Sequence, residues 1–88
     1  MDIENQIREF VTSHYLPDAS AGAISDTTPL ITSGIIDSIG MLGLVDFIES
    51  LYSIEFMPRE IDVHALDTVE RIASLIRAKQ ASRKAVVD

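Results

Sequence analysis

The sequence predicts an all-α fold, a four-helix bundle with a short third helix and a long loop between the first two helices. Apolar residues recur at helical spacing in several segments, and no segment alternates apolar and polar residues as a half-buried strand does. Prolines and a stretch rich in Ser, Thr and Gly separate these segments. The 88 residues suffice for one domain. We assign residues 1–80 to this domain and residues 81–88 to a flexible C-terminal tail.

The first helix is expected over residues 3–15, because apolar residues such as Ile7 and Val11 recur there at helical spacing. Asp2 has a side chain suited to cap the start of this helix. Pro17 ends it, because a residue that precedes proline avoids the α-helical region.

A long connection over residues 17–36 follows the first helix. Loops of this length are uncommon in small domains unless they are functional or partly ordered. Thr28 and Pro29 predict a short helical turn, with the proline at its first position. The connection also carries four apolar residues that we expect to reach the core: Leu30, Ile31, Ile35 and Ile36.

The second helix is expected over residues 38–52. It is apolar on most sides, so it must be central in the fold or partly exposed for binding. Gly40 and Gly43 lie three residues apart on this helix, and each disfavours it by ~1 kcal/mol relative to alanine. We therefore expect tertiary packing, or the close approach of another surface, to compensate for them.

Two further helices are predicted after Pro58. A short third helix is expected over residues 59–66, and a fourth helix begins at Asp67 or Thr68. Asp67 with Glu70 three residues later reads as a variant of the capping box.

The charge of the chain excludes some partners and favours others. There are 14 acidic residues and 7 Lys and Arg residues, which give a formal net charge of −7. Such an acidic chain is repelled by nucleic acid phosphates and attracted to partners with basic patches. The N-terminus has no signal-peptide pattern, and no apolar stretch is long enough to cross a bilayer. We therefore expect a cytoplasmic protein. A monomer is expected as well.

The sequence contains no arrangement of residues that predicts an enzyme or a metal site. There is no cysteine, so disulfides and thiolate ligands are excluded. His14 and His64 lie far apart in sequence, and a single histidine is more often a surface residue than a catalyst or ligand. Neither a catalytic triad spacing nor a phosphate-binding glycine loop occurs.

The most informative residues are Asp37 and Ser38 at the predicted start of the second helix. Backbone N–H groups there have no partner within the helix, so they favour a phosphate on the Ser38 hydroxyl. No base lies nearby in sequence to activate this hydroxyl. Ser38 therefore has the character of an acceptor that another enzyme modifies. The simpler interpretation, that the Asp-Ser pair only caps the helix, is favoured when the pair is considered alone.

The segment Gly34–Leu42, with the flanking Leu30 and Ile31 and the spacing of helices over residues 3–78, resembles the acyl carrier protein family. The resemblance implies that residues 1–80 are a carrier domain and that Ser38 carries 4′-phosphopantetheine. It implies that Asp37, the acid before this serine, helps the phosphopantetheinyl transferase to hold its metal. Further residues of the second helix are implied to dock partner enzymes: Ile39, Leu42, Asp46 and Glu49.

On this resemblance the chain holds acyl groups as thioesters and presents them to enzymes, but is not itself an enzyme. Its partners would be the phosphopantetheinyl transferase and an acyl- or aminoacyl-activating ligase or acyltransferase. Gly34 stands four residues before the serine, as in D-alanine and other discrete carriers, whereas fatty-acid carriers often have it three before. The acids that the fatty-acid type places two and five residues after the serine are replaced by Gly40 and Gly43, which implies a more apolar docking face.

Two alternatives to a discrete acyl carrier stay open from the sequence. The chain could be a helical interaction module without a prosthetic group, which uses its second helix as an apolar docking surface. It could also be a peptidyl or aryl carrier domain of a larger synthetase, although the start at Met1 favours a discrete protein.

Overall fold

The computed structural model describes residues 2–16 and 24–86, with side chains described as far as residue 81. Within these ranges all regular structure is helical, which confirms the all-α prediction. The described chain forms three α-helices and one short 3₁₀ helix. Their bounds are α1, Ile3–Tyr15; α2, Ser38–Tyr52; the 3₁₀ helix, Pro58–Glu60; and α3, Val69–Val86.

Helix α1 begins and ends where the sequence predicts. The Asp2 carboxylate accepts a hydrogen bond from the Asn5 N–H at 2.8 Å, which confirms Asp2 as the N-cap. At the other end the Leu16 N–H donates to the Thr12 carbonyl. Ile7 and Val11 are buried, as their spacing predicts. Local signals therefore suffice to place this helix.

Helix α2 also has its predicted bounds, and it supplies much of the core. It begins after Asp37, whose backbone is extended, and ends at Tyr52, followed by the C-cap Ser53, whose φ of 55° is left-handed. One face of the helix is buried against the rest of the molecule. The buried residues of this face are Met41, Leu44, Val45 and Ile48.

The predicted third α-helix over residues 59–66 is not formed. Only the 3₁₀ helix Pro58–Glu60 is present, followed by turns. The Asp62 carboxylate accepts hydrogen bonds from the N–H groups of His64 and Ala65. A short acidic side chain that bonds to nearby N–H groups offers the backbone an alternative to a helix. Leu66 is nevertheless fully buried at the end of this segment.

Helix α3 starts later than the predicted capping box requires. Thr68 caps it, because its hydroxyl oxygen accepts a hydrogen bond from the Arg71 N–H at 3.1 Å. The expectation that Asp67 caps this helix is wrong, since its carboxylate bonds to the preceding connection instead. The helix continues to Val86, beyond the assigned end of the domain at residue 80. That residues 81–88 are flexible stays a prediction.

The connection between α1 and α2 is anchored to the start of α3 by Asp67. Its carboxylate accepts hydrogen bonds from the Ile31 N–H at 2.8 Å, the Thr32 N–H at 2.9 Å and the Thr32 hydroxyl at 2.9 Å. The Leu30 N–H donates to the Asp67 carbonyl at 2.6 Å. These bonds satisfy part-buried backbone groups of the connection that would otherwise lack a partner within the protein.

The apolar residues of this connection reach the core as expected. Leu30 and Ile36 are fully buried, and Ile31 and Ile35 pack against the core while partly exposed. The turn predicted at Thr28 and Pro29 lies slightly later, over residues 31–34. Gly34 ends this turn with a φ of +90°, which other residues rarely adopt. Residues 17–23 of the predicted connection lie outside the described residues.

Ion pairs of α3 connect it to the other elements. The Arg77 guanidinium donates to both carboxylate oxygens of Glu4, at 2.6 and 2.7 Å, and thereby joins α3 to α1. Lys79 pairs with Glu60 of the 3₁₀ helix and lies over the Phe56 ring. No helix among the described residues combines the length and the apolar character needed to span a membrane.

Candidate functional site

Ser38 is the first residue of α2, and its side chain is exposed to solvent. Its hydroxyl has no hydrogen-bond partner among the described residues. A side chain in this position is accessible to a second protein. The placement meets the steric requirement for modification of this serine by an enzyme.

Asp37 caps α2, and this leaves Ser38 free of that task. The Asp37 Oδ1 accepts a hydrogen bond from the Gly40 N–H at 2.7 Å, and the Asp37 carbonyl accepts one from the Met41 N–H at 2.8 Å. The capping interpretation of the Asp-Ser pair therefore applies to Asp37 alone. The N–H groups of Ser38 and Ile39 remain at the positive end of the helix dipole.

Ile39 and Leu42 are the most exposed large apolar side chains of α2, at 80% and 55%. At 100° per residue they lie on the same outward face as Ser38, and the exposed Asp46 lies one turn further along. The buried residues occupy the rest of the circumference of the helix, and Val45, two turns after Ser38, borders this face. The structure thus brings Ser38 together with three of the four residues that the resemblance assigns to docking.

The fourth of these residues, Glu49, is partly buried and has a structural contact. Its Oε2 accepts a hydrogen bond from the Phe56 N–H at 2.8 Å, which ties α2 to the segment that leads to the 3₁₀ helix. A carboxylate engaged in this way is less available to a basic partner. A docking role for Glu49 stays a prediction, whereas the contact with Phe56 is observed.

Tyr15 lies against the first turn of α2, and the sequence did not single it out for this place. Its hydroxyl donates a hydrogen bond of 2.8 Å to the Gly40 carbonyl. A Cβ atom at Gly40 would lie only 3.0 Å from the Tyr15 Cε1 atom, and one at Gly43 would lie 3.5 Å from the Tyr15 hydroxyl. In the sequence, only Gly40 and Gly43 signalled this contact. They predict that another part of the protein approaches α2 closely, but they do not show that Tyr15 does so.

The environment of Tyr15 keeps its hydroxyl protonated. Burial raises the pKa of Tyr15, and the negative charge of Asp37 raises it further. The ordinary pKa of tyrosine, 10, already lies above the physiological range, so the phenol remains a hydrogen-bond donor to the Gly40 carbonyl.

An aromatic stack continues the contact between α1 and α2 away from Ser38. Phe10 and Phe47 stack with their ring centroids 3.8 Å apart, and the His14 ring also stacks with Phe10, with a centroid distance of 4.2 Å. His14 Nδ1 lies 3.0 Å from the Phe10 carbonyl. An open groove of about 710 Å³ runs along this stack, and Ser38 is not part of its lining.

The remaining candidate groups are not brought together. His14 lies on α1 and His64 in the turn before α3, and both are exposed. Across residues 2–16 and 24–86, no three His, Cys, Asp or Glu side chains form a cluster able to hold a metal ion. Among the candidate residues, only Asp37, Ser38 and their neighbours on α2 lie close together.

Comparison with protein-family models and with curated proteins finds no match for this chain.

Proposed function

We propose that this chain is an acyl carrier protein that holds acyl groups on a 4′-phosphopantetheine arm attached to Ser38. One observation carries the proposal. The Ser38 hydroxyl is exposed at the start of α2, while the neighbouring Asp37 already provides the helix cap. A serine that is spared from capping, and that stands beside unpaired N–H groups, suits a phosphodiester better than a purely structural role.

The residues present fit the prosthetic group. A phosphodiester on Ser38 Oγ would carry negative charge at the helix N-terminus, where the dipole and the free N–H groups of Ser38 and Ile39 favour it. The side chain faces solvent, so a long arm meets no obstruction among the described residues. Asp37 is exposed, and its Oδ2 accepts no hydrogen bond from them, so this oxygen is available to a transferase's Mg²⁺.

The attachment would be made by a phosphopantetheinyl transferase with coenzyme A. A bond forms between Ser38 Oγ and the β-phosphorus of coenzyme A, and the bond from this phosphorus to the 3′,5′-ADP leaving group breaks. The proton of the hydroxyl passes to a base of the transferase, because no base among the described residues hydrogen-bonds to Ser38. The carrier's own contribution is to present the hydroxyl and Asp37 in a fixed geometry.

The arm, when attached, supplies a thiol on which acyl groups are carried as thioesters. The chain has no cysteine of its own, so that thiol would be the only one in the molecule. A tethered substrate reaches successive enzymes at a high effective concentration. This accounts for a carrier that performs no chemical step itself.

The face around Ser38 suggests the kind of partner. Ile39 and Leu42 offer exposed apolar contact beside the serine, and Asp46 adds one acid. We propose that the acyl- or aminoacyl-activating ligase or acyltransferase docks there mainly through apolar contact, as expected for a D-alanine or other discrete carrier. The net charge of −7 assists encounter with basic partners. On this proposal the chain is a monomeric, cytoplasmic carrier, and the 3₁₀ helix stands where the family has its short third helix.

Mass spectrometry tests the proposal directly. The purified protein is incubated with coenzyme A, Mg²⁺ and a broad-specificity transferase, and we expect the mass of one added phosphopantetheinyl group. Ser38→Ala should abolish the addition, and Ser50→Ala, which removes another exposed hydroxyl of α2, should not affect it. Circular dichroism should show the same helical content in both variants.

Two results would contradict the proposal. Addition that persists in Ser38→Ala would place the site elsewhere. Absence of the group, both in this reaction and in the protein isolated from its native host, would favour the interaction module without a prosthetic group. The exposed Ile39 and Leu42 would then be its docking surface.

A further inference from the structure

The first turn of α2 has weak intrinsic helical stability, although it carries Ser38. It contains Gly40, and Gly43 follows in the next turn; glycine disfavours a helix relative to alanine. Helix ends fray most easily, because their backbone groups lack partners. The cap from Asp37 opposes this fraying from within the same segment. A contact from elsewhere in the fold is needed to hold the turn in one place.

Tyr15 provides such a contact. Its hydroxyl donates a hydrogen bond to the Gly40 carbonyl across 25 residues of sequence, and its Cε1 atom lies 3.0 Å from where a Cβ atom at position 40 would be. Tyr15 is itself held by an edge-to-face contact with Phe10, whose ring stacks on Phe47 of α2. The position of Tyr15 is therefore fixed by two contacts. Its hydroxyl bonds to Gly40, and its ring packs on Phe10, which in turn contacts α2 two turns further along.

We propose that Tyr15 is a positioning residue for the Ser38 site, which holds the first turn of α2 against α1 so that the hydroxyl is presented in one geometry. This inference rests on the proposed function for its significance, but the contact between Tyr15 and Gly40 does not depend on it. Tyr15 does not need to touch the arm or the transferase. It acts through the backbone of Gly40, two residues after the serine.

The glycine at position 40 follows from the same contact. A Cβ atom there would lie 3.0 Å from both the Tyr15 Cε1 and the Ile36 Cγ2 atoms, and 3.2 Å from the Asp37 Oδ1 that caps the helix. The tyrosine and the side chain at position 40 compete for one space. The absence of an acid two residues after the serine is then a consequence of how this chain positions its site.

The two tyrosines of the chain provide a matched test. Tyr15 and Tyr52 each join α1 and α2 by one hydroxyl, and Tyr52 donates to the Gln6 side chain at the far end of α2. Tyr15→Phe and Tyr52→Phe therefore remove one hydrogen bond each while keeping the ring. Amide hydrogen exchange of α2, measured by NMR on the unmodified protein, reports the order of its first turn independently of any transferase.

In Tyr15→Phe we expect exchange of the Gly40, Met41 and Leu42 amides to accelerate about fivefold, the factor that corresponds to one ordinary hydrogen bond. The kcat/KM for phosphopantetheine transfer should fall by a similar factor, mainly through KM. In Tyr52→Phe both quantities should stay at their wild-type values. A loss of transfer in Tyr52→Phe equal to that in Tyr15→Phe, or unchanged first-turn exchange in Tyr15→Phe, would overturn the inference. If the wild-type protein accepts no phosphopantetheine, the proposed function fails, while the exchange data still decide the role of Tyr15.

Discussion

The carboxylate of Asp67 accepts hydrogen bonds from both the backbone N–H and the hydroxyl of Thr32, a residue 35 positions earlier in the chain. Asp67 is only 7% exposed and is the one buried charged residue among those described. This contact joins the start of α3 to the connection that leads into α2. The position of the candidate site therefore depends on a residue far from it in sequence.

Replacement of Asp67 by alanine should destabilise the fold substantially. The change leaves the part-buried N–H groups of Ile31 and Thr32 without their acceptor, and donors that lose a partner away from water cost roughly 1–3 kcal/mol. Urea denaturation should show this loss in the free energy of unfolding. Asp62→Ala is the matched control, because Asp62 also accepts two N–H groups but is exposed, and its loss should be smaller. Equal losses in the two variants would contradict the role given to burial.

Stability should fall in acid because of the ion pair between Glu4 and Arg77. Hydrogen bonding from Arg77 lowers the pKa of Glu4 from its ordinary value of 4.5 to about 2. A depressed carboxyl pKa contributes stability that is present above pH 4.5 and is lost as the pH falls towards 2. In Glu4→Gln the unfolding midpoint should depend less steeply on pH across this window. Arg77→Met should have the same effect, and an unchanged slope in both variants would exclude the pair as a cause.

Asp67 should add to the acid sensitivity. Burial by itself would raise its pKa, but the hydrogen bonds from Thr32 and Ile31 outweigh this effect and lower the pKa below its ordinary value. The ionised Asp67 therefore stabilises the fold in the same pH direction as Glu4. Its contribution to the free energy of unfolding is present at neutral pH and is lost when the carboxyl is protonated. Thr32→Val removes the hydroxyl donor, and we expect it to weaken the dependence of the unfolding midpoint on acid pH. A steeper dependence in this variant would contradict the assignment.

The two glycines of α2 should respond in opposite directions to alanine. Alanine favours a helix by ~1 kcal/mol relative to glycine. At position 43 the added Cβ meets only the Tyr15 hydroxyl at an ordinary 3.5 Å, so Gly43→Ala should raise the unfolding temperature. At position 40 it would be 3.0 Å from Tyr15 and from the fully buried Ile36, and overpacking of this kind costs typically about 1–3 kcal/mol.

Gly40→Ala should therefore lower the unfolding temperature in differential scanning calorimetry. The two variants are a matched pair, because each replaces a glycine of α2 by alanine and so gains the same helix propensity. If Gly40→Ala is as stabilising as Gly43→Ala, the ring of Tyr15 does not confine this position.

A charge at Leu42 should impair recognition more than folding. Leu42 is 55% exposed on the face of Ser38, whereas Leu51 is 45% exposed and lines the groove beside α1. We expect Leu42→Glu to lower the kcat/KM of phosphopantetheine transfer at least tenfold, because it would place an unpaired charge in an apolar contact, and burial of such a charge costs more than the roughly 1.4 kcal/mol of a tenfold change. Leu51→Glu should leave transfer nearly unchanged. Collapse of the helical circular dichroism signal in Leu42→Glu would instead show that Leu42 belongs to the core.

Local signals predicted α1 and α2 correctly, including their ends. Asp2 and Asp37 have short acceptor side chains directly before apolar helical periodicity, and capping depends on residues only three positions apart. The same kind of reasoning was wrong at Asp67, which has the sequence of a cap but bonds to Thr32 instead. A carboxylate can accept hydrogen bonds from several donors in a folded chain. Only the tertiary arrangement determines which of these donors lie within hydrogen-bonding distance.

The sequence by itself determined the helical class, the bounds of the first two helices and the position of Ser38 at the start of one of them. These features depend on periodicity, capping and proline, which act over a few residues. Only the tertiary structure decided that residues 59–66 form no α-helix, that Glu49 bonds to Phe56 and that Tyr15 occupies the space beside Gly40. The physical reason is that such contacts join residues distant in sequence, and their geometry exists only when the helices pack.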